Sequence, residues 1–119
     1  MPGIWNSDSS GAPTNISSSS TLISSEDALK KFTGYKYCTL VSSCTAGLHI
    51  SCIAIGFKKG DEVIVPSVTH TATAHAVEFT GAKAIICDVD QGTGNLTLET
   101  IQKKVTKKTK GIILVHMSG

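Results

Sequence analysis

Four short apolar runs, "YCTLV" (37–41), "EVIV" (62–65), "AIIC" (84–87) and "GIILV" (111–115), are spread along the chain, and none alternates polar with apolar side chains. A strand with one face in water would alternate with period two. An unbroken apolar run bounded by turn residues suits a strand buried on both faces of a parallel sheet. Helical patterns lie between the runs. Residues 46–55 end at Gly56, which serves as a left-handed stop. Ala72, Ala76 and Phe79 recur at i, i+4 and i+7 ahead of Gly81. A third pattern opens near Thr97 as an N-cap, with Glu99 in its first turn and Leu98, Ile101 and Val105 on one face. This order predicts right-handed βαβ crossovers in a partial, open, mostly parallel α/β sheet with flanking helices. Ligands are expected at the carboxyl ends of the strands, at 42–45, 66–70, 88–90 and 116–119.

The 119 residues and 40% hydrophobic content support one core of ordinary size. Residues 1–25 hold nine serines and little periodic apolar content, which predicts a flexible lead; residues 26–119 form the folded part. The formal charge of +2 comes from eleven lysines, no arginine and nine acids. Without a planar guanidinium fork, nucleic acid is not an expected partner. Lys103, Lys104, Lys107, Lys108 and Lys110 read as a solvated face at and beyond a helix end. Cys38, Cys44, Cys52 and Cys87 sit singly, with no C-x-x-C pair, so they read as reduced thiols in a cytoplasmic protein. No apolar run reaches membrane-spanning length and no secretory signal is evident, which also makes the sequons at Asn15 and Asn95 inert.

The chemistry concentrates at the first strand end. Ser42, Ser43, Cys44 and Thr45 lead into a helix whose opening N–H groups attract anions; Thr45 can add a hydroxyl and Ala46 its N–H, and small side chains allow close approach. The turn asks for a phosphate, although the same residues also serve as a plain serine or threonine N-cap. His70 follows the second apolar run beside that turn and could stack on an aromatic ligand; a surface histidine in a first helical turn is the other reading. "GTGNLT" (92–97) lacks the third glycine of a dinucleotide fingerprint and reads as a tight turn, and no Walker sequence occurs. His70 and His75 lie five apart, off the i, i+4 spacing of a helical chelate, and His49 reads as a packed or capped residue, so no metal site is expected.

An ordered series carries a family resemblance: S-x-T-A (43–46), G-D-E-V-I-V-P-S (60–67), T-x-x-A-T-A-x-A (69–76), G-A-K (81–83), D-V-D (88–90) and V-H-x-x-G (115–119). From about Glu26 to Gly119 the chain resembles the amino-terminal part of the large domain of DegT/StrS-type nucleotide-sugar aminotransferases, pyridoxal-phosphate enzymes of fold type I. The resemblance implies that the anion is the phosphate of pyridoxal 5′-phosphate, held by Ser43, Cys44, Thr45 and Ala46. His70 then stands where family members often carry Phe, Trp or Tyr over the pyridine, and Cys44 where glycine is common.

The same resemblance implies an amino donor and a keto-sugar nucleotide as substrates of the full-length family, and a homodimer or association through an exposed sheet edge. The family's Schiff-base lysine and its acidic partner of the pyridine nitrogen match no position here. The expectation is therefore a truncated aminotransferase, inactive as this chain alone. The alternative is a non-catalytic cofactor- or partner-binding module derived from that family.

Overall fold

The computed structural model describes residues 18–117, with side chains from residue 25 onward. The chain divides into two compact units, Met1–Ser42 and Ser43–Gly119. Most of the lead, with Trp5 and Asn15, lies outside the described residues, as do Ser118 and Gly119.

In the first unit, α1 (Ser18–Thr33) begins inside the serine-rich stretch, and the compositional change at Glu26 falls within the helix. The run 37–41, expected as a strand, belongs to no strand. The physical reason is backbone pairing: the Leu40 N–H donates to Glu26 Oε1 at 2.8 Å instead of to a ladder partner. Tyr37 accordingly stands 80% exposed.

The second unit holds α2 (Cys44–Ile55), β1 (Glu62–Pro66), α3 (Ala72–Glu78), β2 (Lys83–Cys87), α4 (Leu98–Gln102) and β3 (Thr109–Ile112). Among the described residues three strands therefore form the sheet, not four, and their spatial order is β2-β1-β3 with both pairings parallel. β1 pairs with β2 from Glu62↔Lys83 to Pro66↔Cys87, and with β3 through Val63↔Gly111 and Ile64↔Ile112 after an irregularity at Glu62. Val63, Ile64 and Val65 are fully buried, so consecutive residues facing opposite sides are both covered, as an apolar run without alternation requires. Pro66 ends the strand where the ladder no longer needs its missing N–H, and the chain turns out into a loop.

Helix ends follow local chemistry closely. Gly56 caps α2 with φ 88°, its N–H donating to Cys52 O and Ile53 O. Thr97 caps α4 in a reciprocal capping box with Thr100. That helix stops after five residues and buries none, so Leu98 and Val105, expected on one inward face, are 72% and 52% exposed. In α3 the buried face is Ala72, Thr73, Ala76 and Val77, while Phe79 falls at the C-cap, exposed, with His49 edge-on at 5.4 Å. Cys52, Val63, Val65, Ala76, Val77 and Ala82 make the core, with Leu48, Phe57 and Ile113 packed around it. Close packing also explains Gly111, where an added Cβ would come within 2.6 Å of the Phe57 ring.

Truncating Ile64 to alanine should cost about 2–5 kcal/mol of stability, because it empties a site sealed on both sheet faces. The same change at half-exposed Ile86 should cost less than about 1 kcal/mol. Denaturant titration of the two variants checks this, and equal losses would contradict the placement of β1 at the centre.

Candidate functional site

The strand order locates the site. From β1 the chain passes to β2 on one side, and β3 then returns on the other side. Connections leaving adjacent strands in opposite directions open a crevice beyond their carboxyl ends, where open α/β sheets receive ligands. A cavity of about 670 Å³ lies there, within the range of about 300–1,000 Å³ common to small-molecule sites. The opening turn of α2 contributes Cys44, Thr45 and Leu48; the loop after β1 contributes Val68, Thr69 and His70; α3 adds Ala72 and Thr73. The segment following β3 closes another side with Ile113, Leu114, Val115 and Met117.

Three of the five residues singled out from sequence thus meet in one cavity: Cys44, Thr45 and His70. Ser43 and Ala46 serve the helix end itself, with the Ala46 N–H donating to Ser43 Oγ at 3.1 Å. Ser43 is extended, with φ −160°, as an N-cap residue is. The Cys44 and Thr45 N–H groups precede the first intrahelical bond and have no partner within the helix. His70 is oriented by its own loop, since its Nδ1 accepts from the Ala72 N–H at 3.1 Å. In the neutral ring that bond leaves the proton on Nε2.

Thr69 and Thr73 escaped the sequence reading. Their hydroxyls pair at 2.9 Å, and Thr73 is only 3% exposed, a polar pair set beside the apolar Val68 and Ala72. Their i, i+4 spacing within "THTATAHA" was the available signal. The residues after β3 carried none, because 113–115 read as the interior of a strand and instead leave the sheet to line the cavity.

The remaining chemistry lies elsewhere. His75 packs 5.9 Å from Phe79. Among the described residues no cluster of His, Cys, Asp or Glu is placed to hold a metal ion, and no helix is long and apolar enough to cross a membrane. The four cysteines are unpaired, with Cys52 and Cys87 buried, and burial pushes the Cys52 thiol above its ordinary value. "GTGN" is a tight turn organised by Asp90, whose Oδ1 accepts from the Thr93 hydroxyl, the Thr93 N–H and the Gly92 N–H at 3.0, 2.9 and 3.1 Å.

Residues 14–119 match the DegT/DnrJ/EryC1/StrS aminotransferase family. The chain belongs to that family. It is 43% identical over 84 residues to the GDP-perosamine synthase of Escherichia coli O157:H7, a match covering 71% of this chain and 23% of that protein. Among solved structures, 3-amino-5-hydroxybenzoic acid synthase is similar at 34% identity and a TM-score of 0.76, over 82% of this chain and 25% of that one. NtdA from Bacillus subtilis, with bound cofactor PMP, is similar at 32% identity and a TM-score of 0.75, over 81% of this chain and 22% of that one. The 119 residues of this family member thus span about a quarter of the length of these relatives.

The hydrogen bonds to Asp90, foremost from the Thr93 side chain, hold its carboxyl below the ordinary aspartate range. Because the folded value is the lower one, this contribution is whole above the ordinary range and is lost as pH falls through the folded value. The melting difference between the protein and its Asp90→Asn variant should therefore shrink on acidification below about pH 4. A difference that stays constant with pH would show that the charge contributes nothing.

Proposed function

We propose that this chain is the cofactor-phosphate part of a pyridoxal-phosphate-dependent nucleotide-sugar aminotransferase, with residues 26–119 forming a partial large domain and without the Schiff-base lysine. The carrying observation is that the opening turn of α2 and His70, far apart in sequence, line one cavity at the fork between β1 and β3. A phosphate monoester suits that turn: the Cys44 and Thr45 N–H groups and the Thr45 hydroxyl supply donors, and the helix dipole favours the charge. The Ala46 N–H joins them once Ser43 Oγ releases it. His70 offers a flat ring for the aromatic part of the cofactor, and Leu48, Val68 and Ile113 supply apolar contact.

Bound there, the cofactor would supply the electron sink that transamination requires. What these residues do is hold its phosphate, cover its ring and exclude water. No lysine lines the cavity, which supports the reading that the covalent anchor is not among the described lysines. Membership of the family and similarity to a GDP-perosamine synthase support an amino donor and a keto-sugar nucleotide as substrates of the whole protein. The same observation favours a second reading, a non-catalytic module that binds the cofactor or a partner. The unpaired cysteines agree with a cytoplasmic setting. β2 and β3 are sheet edges, and Ile53, Phe79 and Leu114 are exposed, which supports homodimerisation or association through an edge.

Titration of the protein with pyridoxal 5′-phosphate, followed by absorbance and fluorescence, should show saturable binding. Borohydride should then leave no modified lysine, and no keto-sugar should be aminated. Replacing Thr45 with valine removes a hydrogen bond to a charged group and should weaken binding roughly tenfold or more. A single reducible lysine adduct, product above a cofactor-only control, or an unaltered affinity in the Thr45 variant would each refute the corresponding part.

A further inference from the structure

The loop after β2 reaches back to the cavity. Asn95 Oδ1 accepts the Met117 N–H at 3.0 Å, a bond that joins residues 22 positions apart. Asn95 is itself locked on three sides. Its Nδ2 donates to Thr93 O at 3.2 Å, its N–H to Thr93 Oγ1 at 3.3 Å, and its carbonyl accepts the Asp90 N–H at 3.0 Å. Thr93 is in turn fixed by two bonds to the Asp90 carboxylate. The asparagine amide is thus held in one orientation, with its oxygen committed to a single backbone group in another segment.

That segment matters because the ladder ends before it. β3 stops at Ile112, and the last bond to the sheet is the Ile113 N–H donating to Ile64 O at 2.9 Å. Residues 114–117 then run along the cavity without strand pairing, and Leu114, Val115 and Met117 line it. A stretch with no ladder needs another tether to stay in place. The Asn95 bond supplies it.

We infer that Asn95 is a positioning residue that pins the segment after β3 against the cavity, thereby setting the wall that faces the ligand. The proposal rests, for the identity of that ligand, on the cofactor reading above. An aspartate at this position keeps an oxygen for the Met117 N–H, whereas leucine, of similar size, does not.

Amide hydrogen exchange of the protein, with Val65 in the buried strand as internal reference, tests the tether directly. In the unaltered protein the Met117 N–H should exchange more slowly than an open-chain amide. Asn95→Leu should speed Met117 exchange and weaken pyridoxal 5′-phosphate binding, each by roughly 2- to 10-fold, with Val65 unchanged; Asn95→Asp should keep most of both. Selective loss at Met117 in the leucine variant, in a protein that fails to bind the cofactor at all, would retain the tether and remove the cofactor reading. An unprotected Met117 in the unaltered protein overturns the tether even if the leucine variant does not fold. So does equal acceleration at Met117 and Val65, or identical behaviour of the two variants.

Discussion

The structure depends on one strand. β1 is paired on both edges, and Val63, Ile64 and Val65 lose all contact with water while ladders to β2 and β3 pair its backbone. Burial of apolar area supplies the driving force, and the parallel ladders remove the cost of burying amides. Helices α2 and α3 pack on each other, and α3 lies over β1 and β2, because Cys52, Ala76 and Val77 find their apolar surface there. Moving β1 to an edge would expose one of its two ladders and undo both arrangements.

The same strand makes the site. Its two neighbours are reached in opposite directions, and the space left beyond its carboxyl end is bounded by whatever those connections carry. Around that space stand the start of α2, which precedes β1, an imidazole held by its own loop, a threonine pair and the apolar segment that follows β3. Polar groups are few and directional, and the rest of the wall is apolar, the usual division of labour between orientation and affinity in a small-molecule site. At the start of α2 Ser43 Oγ satisfies the Ala46 N–H, as an N-cap residue does.

Much of the local structure was legible. Gly56 ends α2 and Thr97 starts α4 because these are decisions made within one turn, by a left-handed residue and by a hydroxyl reaching three residues on. The three runs that became β1, β2 and β3 were visible as apolar stretches, though "GIILV" pairs only through its first residues. The run 37–41 has the same composition and is not a strand, since a strand exists only if another backbone meets it and Glu26 satisfies Leu40 instead. The short α4 shows the same limit, as an apolar spacing without a surface to cover it leaves Leu98 and Val105 in water.

By itself, the sequence determined the alternation of strand and helix, the caps, the double-sided burial of β1 and a helix start capped by Ser43. These depend on residues within a few positions of one another, where backbone sterics and side-chain hydrogen bonds decide the outcome. Only the tertiary structure decided the strand order, and with it the fork that brings Thr45, His70 and Val115 around one space. It alone also joined Asn95 to Met117, a contact between two loops that neither segment encodes, because it exists only after β3 has docked beside β1.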